Sequence, residues 1–326
     1  MSRFVLSRLA WAIPTILVIV VLSFLVVHIV PGDPIQALIG DYPAPPEYAA
    51  QIRATFGLDQ PLPTQLWLYF VNLAHGNLGF SFASREDVLH LVLSRAPLTL
   101  LLTLPALTLS AIFGVTLALI AAPRVGSAVD NGITTLTLIG ASVPVFWLGQ
   151  MLVVIFAIRL GWLPAQGMMS LRTPPSGLRV FTDLLAHLAL PVTCLTLLYT
   201  TLVARVARAS VLDALSQDFV LTAKAKGVTR REILWKHVLP NSAVPIITVI
   251  GYNFGHCLTG AILVEAVFAW PGLGSAFIAS IQNRDYSVSQ GIFLFVALTV
   301  VLANVVTDVL TALVDPRVRK SYDFHG

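Results

Sequence analysis

Six blocks of the 326-residue chain are apolar almost without interruption, at residues 9–30, 98–122, 133–158, 188–204, 243–269 and 290–314. A helix rises about 1.5 Å per residue and a bilayer core is about 30 Å thick, so about 20 such residues make one crossing. The pattern predicts an all-α, polytopic membrane protein of about six transmembrane helices. The fourth block is the shortest, and Gly251, Asn253, Gly255 and Gly260 interrupt the fifth. Arg3 and Arg8 precede the first block, as in a signal peptide. Its apolar run is too long for that, and it ends in His28-Ile29-Val30-Pro31 rather than in small residues, so it reads as an uncleaved helix.

Positive charge orients the spans. The N-terminus, the 123–130 and 205–242 loops and the C-terminus carry thirteen Lys and Arg, against seven in 31–97, 159–187 and 270–289. The basic side is expected to be cytoplasmic, with both termini on it. The 31–97 segment is then a large external loop. Within it, 64–75 is an amphipathic stretch carrying Leu66, Trp67, Tyr69, Phe70 and Leu73, suited to a helix lying in the membrane interface or capping the bundle. A second stretch, 87–95, carries Val88, Leu91 and Val92 at helical spacing. The whole of 1–326 is expected to be one transmembrane domain.

Composition narrows the function. Hydrophobic residues make up 56% and charged ones 11%, where a soluble domain carries about 25% charged. The net charge of +4 is spread between apolar blocks and forms no face that could follow a phosphate backbone, so no nucleic-acid partner is expected. Cys194 and Cys257 lie inside apolar runs and read as packing residues. His28, His256 and Met168-Met169 are scattered singly and suggest no metal site.

The loop from Arg205 to Ser242 carries the sharpest local signals. Residues 218–226 predict a short helix that ends at Gly227, since glycine accepts positive φ without a Cβ clash. Thr229 and Glu232 form a Thr-x-x-Glu capping box that starts a second helix, carrying Ile233, Leu234, Val238 and Leu239 until Pro240. A helix–glycine turn–helix costs more ordering entropy than a slack connection. It suits a lever that transmits motion from a cytoplasmic partner, or a hairpin that closes the bundle.

This loop resembles the EAA loop of ABC-importer permeases: Ala223, Gly227, Leu239 and Pro240 match that pattern. Leu221 stands where its Glu would be, Thr222 replaces the first Ala, and His237 replaces an Ile. The dipeptide, oligopeptide and nickel branch often carries a similar Thr-Ala-x-Ala-x-Gly version. Further matches to that branch run along nearly the whole chain. They include Pro31-Gly32-Asp33-Pro34, Phe56-Gly57-Leu58-Asp59-Gln60-Pro61-Leu62, Gly76-Asn77-Leu78-Gly79, Ser142 to Trp147, Leu160 to Pro164, Glu265 to Gly274, Arg284-Asp285-Tyr286 and Asp315-Pro316-Arg317. The B-type permease subunit is the closer match.

The resemblance implies a bacterial inner-membrane importer. A second homologous permease would complete a heterodimer, two cytoplasmic ATPase subunits would receive the loop around Gly227, and an external binding protein would deliver cargo. This chain lacks Gly-x-x-x-x-Gly-Lys-[Ser/Thr], so ATP and Mg are expected in the partner subunits and no cofactor in this one. Thr222, Ala223, Gly227, Thr229, Arg230, Arg231, Glu232 and Pro240 are the candidate coupling residues. Of these, Ala223 would permit close approach to a partner groove; Arg230 and Arg231, with Lys236, would pair with acidic ATPase residues or serve as positive-inside anchors.

Ionisable residues within spans are costly and mark candidates for the pathway or for structural pairing, here Glu265 and Asp308. Di- and oligopeptides are the first cargo the resemblance suggests; nickel or a metal chelate, or glutathione, are alternatives. A stand-alone secondary transporter would need coupling-ion groups in the spans and usually internal repeats, and neither is evident. An intramembrane enzyme would need a nucleophile with a base, and the spans offer no such constellation.

Overall fold

Where apolar positions run unbroken, every backbone N–H and C=O must be satisfied within its own segment, and the chain answers with helices. The computed structural model describes residues 2–29, 59–81, 83–170 and 176–315. The motifs at 31–34, 56–58 and 316–317 lie outside them. The elements are α1 (Ser2–Ile29), α2 (Leu62–Ala74), a two-residue ladder of β1 (Phe80–Ser81) and β2 (Glu86–Asp87), and α3 (Val88–Ala121). Then come α4 (Ala128–Ser142), α5 (Val145–Leu152), α6 (Leu178–Leu215), α7 (Asp218–Ala225) and α8 at 230–241. Last are α9 (Ala243–Phe268), α10 (Leu273–Gln282) and α11 (Tyr286–Val314).

Helices α1, α3, α6, α9 and α11 are each long and apolar enough to cross a bilayer. The third predicted span is not one helix. It breaks at Val143-Pro144 into α4 and α5, which meet at 101°. Proline at 144 cannot donate to the helix of α4, and its fixed φ starts α5 instead. The bent pair still runs from one end of the bundle to the other: α4 begins beside the end of α3, and the chain after α5 bonds to the far end of α9 through Gly167 N to Phe268 O at 2.8 Å. With the bent pair counted as one, the described residues offer six apolar spans, and residues 2 and 315 lie at the end of the bundle that carries α7 and α8.

Several expected boundaries shift. The 87–95 stretch is not a separate surface segment but the first turns of α3. α6 has 38 residues, so 205–215, expected as loop, extends the fourth span, and 178–187 lengthens its other end. Hydropathy registers only the apolar part of a helix that projects beyond the membrane. The fifth span is not interrupted: α9 is continuous over 26 residues. Its glycines serve packing. At Gly251 the Thr307 side chain of α11 occupies the space a Cβ would need, and at Gly260 the Tyr199 hydroxyl of α6 does so. Lipid tails give no hydrophobic drive for helices to associate, so small residues that admit close van der Waals approach take over. Gly114 does the same between α3 and α6, where a Cβ would lie 2.6 Å from Val203 Cγ1.

The main core gathers Leu102, Leu195, Leu258, Phe268 and Trp270, with Cys194 and Cys257 free and buried among them. α2 leans on α1 through Phe24 and Tyr69, whose ring centroids are 5.9 Å apart, and exposes Trp67 and Leu68. The ladder pairs Phe80 with Asp87 and Ser81 with Glu86, a small departure from an all-α chain. Ser81 Oγ donates to Asp285 Oδ2 at 2.7 Å, which fixes this corner to the start of α11.

Candidate functional site

The hairpin of α7 and α8 is built from local signals. α7 ends at Ala225 with Lys226 as its C-cap, and Gly227 follows at φ +73°. Val228 N donates to Ala223 O at 3.1 Å and Gly227 N to Lys224 O at 3.0 Å. These two bonds define a Schellman motif, and Val228 and Ala223 belong to one apolar cluster, the contact that commonly accompanies that motif. Thr229 caps α8, its hydroxyl accepting from Glu232 N at 3.3 Å.

The other half of the capping box does not form. The Glu232 carboxylate accepts instead from Lys236 Nζ at 2.5 Å, a bond that holds its carboxyl below the usual range. An exposed i,i+4 partner outcompetes the reach back to the Thr229 amide. Nor does Pro240 end the helix. Residues 233–238 open into a wider π-helical turn, and Leu239–Asn241 closes with Pro240 in its first turn, where a missing N–H costs nothing.

The hairpin is seated, not suspended. Val220, Ala223, Ile233 and Val238 are buried against Val211 and Ala214 of α6 and Ala122 beyond α3. Ala223 therefore faces its own bundle and not a partner groove, a correction to its expected role. The outward surface is Leu221, Thr222, Gly227, Arg230 and Arg231. Arg230 Nη2 donates to the Pro123 carbonyl. Arg124, Arg230, Arg231 and Trp235 border an open cavity of about 440 Å³ between α3 and α8. Asp130 at the start of α4 takes a bidentate Arg208 from α6, both bonds 2.7 Å. Sequence reading missed this pair, because 78 residues separate its members and neither stands out in its own segment.

At the other end of the bundle Glu265 is fully buried. Its Oε1 accepts from Thr99 Oγ1 at 2.6 Å and its Oε2 from Ser275 N at 3.1 Å. Thr99 Oγ1 in turn accepts from Leu273 N at 2.8 Å. The carboxylate and the hydroxyl thus satisfy orphan amides at the start of α10. Arg95 Nη1 donates to Pro271 O and Trp270 Nε1 to Leu98 O, each at 2.9 Å. The Glu265 oxygens fill the space beside Gly272 that a Cβ would need. This clasp fixes the Trp270-Pro271-Gly272 turn, the structural alternative for Glu265. Asp308 also pairs within the bundle, with Arg8 Nε at 3.1 Å. The two acids lie at opposite ends of the bundle and share no site.

Two family models cover the chain. The binding-protein-dependent transport system inner membrane component matches residues 114–320, and the N-terminal part of such membrane components matches 1–103. The chain belongs to this family. Permeases of the family are multi-pass proteins of the bacterial inner membrane, subunits of ABC importers whose ATPase and binding protein are separate partners.

Among its relatives are a di/tripeptide transport permease, DppB, of Pseudomonas aeruginosa, 38% identical over 98% of this chain and 99% of that one. The dipeptide permease DppB of Escherichia coli is 37% identical over the same shares. The glutathione permease GsiC of Escherichia coli is 39% identical, again over 98% and 99%. A chain of the inward-facing MetNI methionine ABC transporter shares the fold, with a TM-score of 0.55 and 17% identity over 69% of this permease and 96% of that chain.

Proposed function

We propose that this permease imports di- and oligopeptides delivered by an external binding protein, and that the α7–α8 hairpin is its contact with the ATPase. The observation that carries the coupling role is the hairpin itself: a Schellman-locked turn that exposes Leu221, Thr222 and Gly227 while its inner face is packed on α6. A rigid body fixed to the longest span transmits a push that a slack loop would absorb. The likeness to the DppB permeases over nearly full length supports the cargo.

In this reading the hairpin side is cytoplasmic and both termini lie there. A second homologous permease completes the pathway as a heterodimer, and two ATPases bind and hydrolyse ATP with Mg. This chain holds no nucleotide motif and no cofactor of its own. ATPase closure moves the hairpins, and the bundle alternates between inward and outward access because ATP binds the two states unequally. Thr222, Gly227, Thr229, Arg230 and Arg231 are the contact residues, while Ala223, Glu232 and Pro240 shape the hairpin.

The test is uptake by the reconstituted complex of labelled di-, tri- and longer peptides against glutathione and Ni²⁺. Peptide uptake that requires ATP and the binding protein is expected. Glutathione, itself a tripeptide, is the second reading, favoured by the likeness to GsiC. Ni²⁺ uptake alone, or transport by this chain without ATPases, would refute the proposal.

A further inference from the structure

α9 is the hub of the bundle, packed on α3, α5, α6, α10 and α11. The strip it leaves uncovered differs in kind from the other exposed surfaces. On α1 the exposed large residues include Leu17, Val18 and Leu22, and on α11 Leu298, Leu302 and Val306, which suit lipid or another apolar helix. On α9 the exposed positions run at helical spacing from Pro245 to Ala266, and between Pro245 and Leu263 they are Thr248, Tyr252, His256 and Thr259, all polar.

Tyr252 is 52% exposed, and its ring centroid lies 4.2 Å from that of His256. Asn304 of α11 is exposed beside them, its Oδ1 3.9 Å from where a Cβ on Gly255 would stand. Among the described residues, no hydrogen bond involves the Tyr252 hydroxyl, the His256 ring or the Asn304 carboxamide. His256 is near the middle of the 26-residue α9, so the cluster sits near mid-membrane.

A donor or acceptor turned to hydrocarbon loses its water and gains nothing in return. A strip of them at this depth has to face water or polar groups. The strip is one residue wide, flanked on the same helix by Gly251, Asn253, Gly255 and Cys257, all buried by this chain's own helices. It reads as the floor of a groove rather than a raised face on which another helix could seat. We propose that Tyr252, His256 and Asn304 line the translocation pathway and hydrogen-bond the backbone amides and terminal groups of the passing peptide.

Phenol, imidazole and carboxamide each offer both a donor and an acceptor, which matches a peptide backbone. None carries a fixed charge, so they hold a backbone of any sequence without trapping it. The cargo in this inference rests on the peptide reading above; the lining does not.

The experiment uses the complete transporter in lipid vesicles. Tyr252→Cys and His256→Cys are labelled with a charged, membrane-impermeant methanethiosulfonate, with Leu302→Cys, on the apolar strip of α11, as the control. Native Cys194 and Cys257 are at most 1% exposed and keep the background low. Labelling at least about tenfold faster than the control is expected, since a charged reagent reaches only wetted thiols. Rates no faster than the control would place the strip in lipid or a dry interface and overturn the lining, whatever the cargo.

For the contact, Tyr252→Phe and His256→Ala should each raise KM for peptides about tenfold, the effect of a lost hydrogen bond or two. The rise should be similar for dialanine and for leucyl-phenylalanine. An unchanged KM for Tyr252→Phe and His256→Ala, at positions whose cysteine variants label fast, would overturn the peptide contact alone. A transporter that carries no peptide would refute the cargo reading and leave the labelling result to decide the lining.

Discussion

Gly227→Val isolates the turn from the rest of the hairpin. Gly227 has φ +73°, and no atom lies within 4 Å of the place a Cβ would take. A side chain there meets no steric neighbour, and the cost is backbone alone. An L-residue in this left-handed conformation costs roughly 1–2 kcal/mol, and a β-branched one more. A cost of 1.4 kcal/mol is a factor of ten in an equilibrium, so about a tenth or less of the molecules would keep the native angle against a relaxed alternative of similar stability. The packed inner face, from Val220 to Val238, is untouched, so insertion and assembly should be normal.

In the reconstituted complex, substrate-stimulated ATP hydrolysis should fall about tenfold in Gly227→Val, in line with that population. Gly227→Asn should retain most of it, because asparagine tolerates positive φ. Full stimulation in the Val variant would refute the claim that the turn angle couples the ATPase to the bundle. Equal loss in the Asn variant would show that the surface at 227, not its geometry, matters.

Other outcomes follow from the packing. Thr99→Val keeps the shape but strips both the donor to Glu265 and the acceptor for Leu273 N; it should cost about 1–3 kcal/mol, seen as a lower melting temperature of the purified complex. Asp130→Ala and Arg208→Ala should be non-additive, with a coupling of about 1–3 kcal/mol in a double-mutant cycle; additive losses would mean the bidentate pair carries nothing. Gly260→Ala should destabilise because the new methyl meets the Tyr199 hydroxyl, and adding Tyr199→Phe should restore part of the loss. If the double variant melts no higher than Gly260→Ala, the contact is not the cause.

The parts legible in the sequence were those set by neighbours along the chain. Gly227 and Thr229 mark turn and cap within three residues, and the structure forms both. Helix lengths were less legible. The ends of α6 mix charged residues, Arg179 and Asp183 at one end and Arg205, Arg208 and Asp213 at the other, with apolar ones and so carry no unbroken apolar run, although Ser170 N and Oγ donate to Asp183 at 2.8 and 2.5 Å and anchor the first of them. Proline was an uneven guide: Pro144 breaks the third span, whereas Pro97, Pro105 and Pro191 lie inside continuous helices. Tertiary packing decides which of these outcomes a proline meets. The Thr99–Glu265 bond joins residues 166 apart, and nothing at either position announces the other. Ala223 went astray for the same reason, since a small residue in a motif does not disclose which way its methyl points.

The clasp around Glu265 has a mechanical corollary. Four hydrogen bonds weld the first turns of α3 to the corner between α9 and α10, and a fifth ties α10 back to Glu265 of α9, through backbone as well as side chains. Any rearrangement that tilts α9 has to carry α10 and that end of α3 with it as one block. Bending is then left to unwelded joints, of which the 101° elbow between α4 and α5 is the most conspicuous.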